Sequence, residues 1–102
     1  MPTKITFIYD NPQSPDDFEA SFAEQVALAR KLPGVERLES SRVWPKEDGS
    51  PTPAYRLLDL YFAGYDEASK AVTTPEAAEL VPHVMNLATG GVRIVFADVE
   101  DI

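Results

Sequence analysis

The chain has no cysteine, one histidine and one tryptophan, and each scarcity removes a class of chemistry. Without cysteine there is no disulfide framework, no thiolate metal site and no thiol nucleophile. With a single histidine, a metal centre would have to be built almost entirely from carboxylates. Cations are also scarce, with 9 Lys and Arg against 17 Asp and Glu for a net charge of -8. No local basic cluster offsets that field, so phosphate backbones and anionic bilayers are repelled, and neither nucleic acid nor membrane is expected as a partner. The apolar runs are only a few residues long, far below the roughly 20 that a membrane span needs. Met1-Pro2-Thr3-Lys4 leads straight into an alternating segment with no signal-peptide layout, so a cytoplasmic protein is expected. A nucleophile elbow and a phosphate-cradling glycine loop are missing too, because Gly90-Gly91 follows a helical pattern instead of preceding one.

What remains is a composition of 44% apolar and 25% charged residues over 102 positions, which fits one globular domain spanning 1–102. Thr3 to Tyr9 is rich in β-branched and aromatic types and reads as a strand, broken by Asp10-Asn11-Pro12. Ser14-Pro15-Asp16-Asp17 is a helix start: a capping hydroxyl, a proline at the first helical position and two acids at the positive end of the dipole. Phe18, Phe22, Gln25, Leu28, Ala29 and Leu32 then recur at helical spacing until Pro33-Gly34 stops the helix. Val35 to Trp44 reads as a second strand, charged in the manner of a protected sheet edge, and Pro53 to Ala63 as a third. Asp66 is placed to cap a short helix running through Val72, and Thr74-Pro75-Glu76 starts another, with a kink or break expected near Pro82. Val92 to Val99 closes the chain as a last strand. The order β-α-β-β-α-β predicts an α+β, ferredoxin-like fold with a four-stranded antiparallel sheet.

The strand patterns bear on assembly. Ile5, Phe7 and Tyr9 share one face of the first strand and Thr6 and Ile8 the other. Leu58, Leu60 and Phe62 oppose Tyr55, Leu57 and Tyr61, and Val92, Ile94 and Phe96 oppose Val95, Ala97 and Val99. Helices can cover one side of such a sheet, so apolar positions on both sides predict that a second copy covers the other, giving a homodimer through the sheet face.

Three segments carry a family resemblance. Ala27-Leu28-Ala29-Arg30-Lys31-Leu32-Pro33-Gly34-Val35 at the helix-to-strand junction, Tyr55-Arg56 through Tyr61-Phe62 in the third strand, and Thr74-Pro75-Glu76 followed by Asn86-Leu87-Ala88-Thr89-Gly90-Gly91-Val92 together resemble the EthD family. Nearly the whole chain is covered in order, and Ala-Thr-Gly-Gly-Val is the most specific piece. The resemblance implies a dimeric α+β barrel, in which two ferredoxin-like sheets pack face to face. It also implies kinship with cofactor-free monooxygenases, muconolactone isomerases and haem-using enzymes. One departure stands out: where the family carries His-x-Pro-Leu in the first helix, this chain has Gln25-Val26-Ala27-Leu28. Glutamine can orient a ligand by hydrogen bonds but is no general base near neutral pH.

The candidate catalytic residues are therefore Gln25 and His83, with Tyr61, Asn86, Phe22 and Tyr9 as candidate ligand contacts. Gln25, in the inward stripe of the first helix, either bonds locally or lines a pocket. His83 is a general base, an axial haem ligand or an ordinary helix residue. Asn86 shares its face three residues on, and Thr89 falls near the same helix end. Asp59 is an inward carboxylate in need of a partner, from among Arg56's neighbours or Arg93 on the last strand, and reads as a dimer salt bridge or a raised-pKa acid. These residues suit a small apolar or aromatic metabolite handled without a cofactor, in an enzyme or in a binding or accessory protein; a haem-dependent oxidase is the further alternative.

Overall fold

The structure is a computed structural model and describes Met1 to Asp101. Its elements follow the chain as β1 (Thr3–Tyr9), α1 (Pro15–Arg30), β2 (Arg37–Arg42), β3 (Arg56–Phe62), α2 (Tyr65–Ala71), α3 (Pro75–Leu87) and β4 (Val92–Asp98). The strands form one antiparallel sheet in the order β2-β3-β1-β4, the ferredoxin-like topology expected. Both long helices start where the sequence signals place them. Ser14 accepts from the backbone N–H of Asp17, Thr74 accepts from that of Ala77, and each is followed by proline.

The elements differ from expectation in four places. β2 is shorter than Val35 to Trp44, because the Val35 amide turns back to the Leu32 carbonyl; isolated bonds from Glu36 to Tyr61 and from Val43 to Tyr55 flank the regular ladder. β3 begins at Arg56 rather than Pro53, although the Tyr55 amide already reaches the Tyr9 carbonyl. Gly64, not Asp66, caps α2, and it brings no side-chain bond. The break expected at Pro82 does not occur, and α3 runs through it to Leu87. Pro82 sits on the exposed side, so the ring meets solvent, and the carbonyl it leaves without a donor has access to water.

The core lies between the sheet and the helices. Ile5, Phe7 and Tyr9 of β1 and Leu58, Leu60 and Phe62 of β3 meet Phe18, Leu28 and Ala29 of α1 and Ala77, Leu80 and Val84 of α3. Each large side chain fully buried there contributes roughly 1.5–3 kcal/mol.

The opposite face is not the apolar surface that the strand patterns suggested. In register, Lys4, Thr6, Asp59, Arg37, Glu39 and Arg93 alternate with Ile8, Leu57, Tyr61, Val95 and Ala97. Asp59 accepts from the Thr6 hydroxyl and pairs with Lys4 at 3.7 Å. It does not pair with Arg93, which reaches Asp10 at 3.5 Å. On β4, Ile94 and Phe96 of the helix side and Val95 of the far side are all partly open, and Trp44, Tyr65 and Met85 are more exposed still.

The α3–β4 turn is tightly built. A Cβ on Gly90 would fall inside the Asn11 carbonyl, and Gly91 holds φ at 107°. Gly90→Ala is therefore expected to destabilise by about 3 kcal/mol or more, a steric clash against backbone. Gly49→Ala, left-handed at φ 77° in open space, should cost only ~1–2 kcal/mol. Pro82→Ala should stabilise by up to about 3 kcal/mol if α3 is continuous. Urea melts of the three variants check all of this.

Candidate functional site

α1 and α3 lie side by side over the sheet, and their stripes decide what meets between them. On α1, Phe18, Phe22 and Gln25 are all buried. Phe18 stands edge-on to Tyr9 and to Tyr55, with ring centroids 5.2 and 5.0 Å away, and stacks on Phe22 at 5.5 Å. Behind Phe18, the Gln25 amide donates to the Tyr9 hydroxyl, both residues being wholly buried. Gln25 Oε1 has no hydrogen-bond partner among the described residues. Burial holds the Tyr9 phenol well above its ordinary value of 10.0, so it stays protonated and acts only as a hydrogen-bonding group.

A cavity of about 320 Å³ opens between the first half of α1 and the last turns of α3, within the range of small-ligand pockets. Phe18 and Leu87 give it an apolar wall. Ser14, Asp17 and Ser21 line it from the α1 side, and His83, Asn86 and Thr89 from the α3 side. The i, i+3 spacing thus carries His83 and Asn86 to one place, and Thr89 joins them while accepting a hydrogen bond from the Gln13 amide at 2.9 Å. His83 is mostly shielded, with Nε2 3.4 Å from Glu24 Oε2. Its Nδ1 is buried and has no hydrogen-bond partner among the described residues. The imidazole thus has a carboxylate near Nε2 and no partner at Nδ1 among the described residues. Among the described residues no cluster of His, Asp and Glu could hold a metal ion.

Of the six candidate residues, His83 and Asn86 line this cavity. Phe22, Gln25 and Tyr9 form the packed interior next to it. Tyr61 is not with them: its register places it on the far face of the sheet, where its hydroxyl donates to Glu39 at 2.6 Å and Arg37 lies 4.1 Å over its ring. The Glu39 bond and burial raise its pKa. Sequence reasoning missed Phe18 and Glu24. Phe18 was legible as a core position in the helical stripe, and its role as a cavity wall depends on where α3 lies. Glu24 meets His83 only through the packing of two helices distant in sequence.

No protein-family model matches the chain. A curated relative, the uncharacterized 11.0 kDa protein in the thcB-thcC intergenic region of Rhodococcus erythropolis, is 33% identical over 100 residues, covering 97% of this chain and 96% of the relative. The chain belongs to the same family as that Rhodococcus protein. Its fold is that of an EthD family protein from Bacillus halodurans, with a TM-score of 0.88 at 21% identity over 98% of this chain and 100% of the other. The EthD resemblance of the sequence and the fold therefore agree. SnoaB, a cofactor-independent oxygenase from Streptomyces nogalater, matches with a TM-score of 0.67 at 19% identity over 99% of this chain and 94% of that one. A dimeric ferredoxin-like protein of unknown function from Jannaschia matches at 0.69 and 14% identity, over 97% and 100% of the two chains. Among the described residues, no helix of this EthD-like chain is long and apolar enough to cross a membrane.

The Tyr9–Gln25 bond gives a test of the interior. Tyr9→Phe leaves the glutamine amide without a partner at either end and should cost ~1–3 kcal/mol, whereas Tyr9→Phe with Gln25→Leu removes both halves and should cost less than the two single changes summed. Denaturant unfolding of the full cycle measures the coupling; strict additivity would mean the bond is not made.

Proposed function

We propose that this EthD-like chain works as a homodimer. In each subunit, the cavity between α1 and α3 takes a small, largely apolar or aromatic metabolite and acts on it without a cofactor. The observation that carries this reading is the convergence of a carboxylate-oriented histidine, an amide and an aromatic wall on one cavity. Phe18 offers a ring for stacking. Asn86 can hold a carbonyl or hydroxyl, and His83, with Glu24 behind it, can accept a proton from an acidic O–H or C–H. SnoaB, of like fold, is a cofactor-independent oxygenase, which supports chemistry of that kind here.

Self-association is supported by the apolar residues left open at β4. The dimeric Jannaschia neighbour points the same way. A standard interface buries about 800 Å² per partner, and the open sheet face with its β4 edge is the surface to supply it. A non-catalytic ligand-binding role is the second reading. It is favoured by one observation: at the position where the EthD family carries histidine, Gln25 is already occupied by Tyr9.

A panel of small phenols and naphthols, screened by ligand-observed NMR, provides the test. Asn86→Ala is expected to weaken any binder about tenfold, near 1.4 kcal/mol. His83→Ala should preserve binding and, if the protein is catalytic, lower turnover by roughly 10²–10⁴. If neither substitution alters binding or turnover, the cavity is not the site. Sedimentation at micromolar concentration should show a dimer, and a monomer would remove the assembly half of the proposal.

A further inference from the structure

We propose that the cavity between α1 and α3 selects its ligand by charge: it takes a small organic ammonium with an apolar or aromatic body and rejects carboxylates and phosphates. This inference rests on that cavity being the ligand site and adds the charge class of what it holds. Asp17 lines the cavity, and among the described residues no lysine or arginine does. The strongly engaged cations of the molecule lie elsewhere. Lys4 pairs with Asp59 and Arg37 covers the Tyr61 ring, both on the far face of the sheet; Arg42 and Arg56 both meet Glu19, and Arg93 reaches Asp10. Asp17 itself has no cation against it among the described residues. His83 is the lining side chain that can become a cation, and Glu24, 3.4 Å from its Nε2, offsets that charge. With Asp17 the group is negative whether or not His83 is protonated.

The start of α1 borders the same cavity, and the free amides of a helix start ordinarily attract anions. Here they are largely spent. Pro15 has no N–H, the Asp17 amide donates to the Ser14 hydroxyl, and the Gln13 amide just ahead donates to Thr89. Asp16 and Asp17 add two carboxylates to that first turn. A carboxylate or phosphate entering the cavity would lose water, gain no charged partner and meet Asp17 as a like charge. An ammonium carries three donors and no acceptor. The Asp17 carboxylate, the Asn86 carbonyl and the Ser21 hydroxyl offer it acceptors, while Phe18 and Leu87 receive its hydrocarbon. Asp17 is exposed, so solvent and salt moderate the preference.

Three probes of one shape separate the charge classes: 2-phenylethylamine, 2-phenylethanol and phenylacetate, titrated by NMR at neutral pH and low salt. The amine should bind about three- to fivefold tighter than the alcohol, as a solvent-screened ion pair allows, and the acid should bind weakest. Added salt should narrow the gap. Asp17→Asn should bring amine and alcohol level, and Asp17→Glu, which keeps the charge, should keep the preference. Asp16→Asn removes the same charge from an exposed neighbour outside the cavity lining and should leave the preference in place. An alcohol or acid that binds as tightly as the amine, with all three weakened by Asn86→Ala, overturns charge selection and leaves the cavity as the site. So does an amine preference that survives Asp17→Asn, or one lost equally in Asp16→Asn. If none of the three binds, or if Asn86→Ala alters none of them, the cavity reading falls as well.

Discussion

Helices of 16, 7 and 13 residues do not roof four strands evenly, and the rest of the structure follows from where they are placed. α1 and α3 pack against each other and bury the central strands β1 and β3. The helix-side residues of β4, Ile94 and Phe96, are left partly open. The contact between the helices makes the cavity that holds His83 and Asn86, and the gap on the other side of α3 makes an apolar groove. One packing decision thus produces a site with polar groups and a surface without them, on opposite sides of a single helix.

The buried Tyr9–Gln25 pair constrains the chemistry available inside. A glutamine held by a phenol that stays protonated has no proton to exchange near neutral pH, and the titratable side chain at the cavity, His83, lies on the α3 side beside Glu24. Phe18 stands between the two, edge-on to Tyr9 and lining the cavity. It keeps the inner pair dry and gives the outer cavity its apolar wall. The core and the cavity wall draw on the same aromatic cluster.

Much of this was legible in the residues. The capping pairs Ser14-Pro15 and Thr74-Pro75 mark both long helices because their chemistry is local: a hydroxyl for an amide, and a ring that needs no donor. The alternation of Ile5, Phe7 and Tyr9 identifies the core face of β1 for the same reason. Asp59 was misread. Opposite-face strand neighbours such as Thr6 and Lys4 become visible only once the register between β1 and β3 is known. Tyr61 was grouped with the cavity residues for its chemistry, yet a one-residue change in parity sends it to the other side of the sheet. Pro82 was read by propensity alone, and an exposed position in a well-packed helix tolerates what a buried one would not.

By itself the sequence determined the element order, the family resemblance, the acidic net charge, and the lack of any disulfide that follows from the absence of cysteine. Those properties reside in single residues or in spacings of two to four positions, where the physics is local. The tertiary structure decided which of the candidate residues share a cavity, which carboxylate lies beside His83, and where the uncovered apolar surface lies. Each of those depends on how elements dozens of residues apart are packed, and no local spacing contains that information.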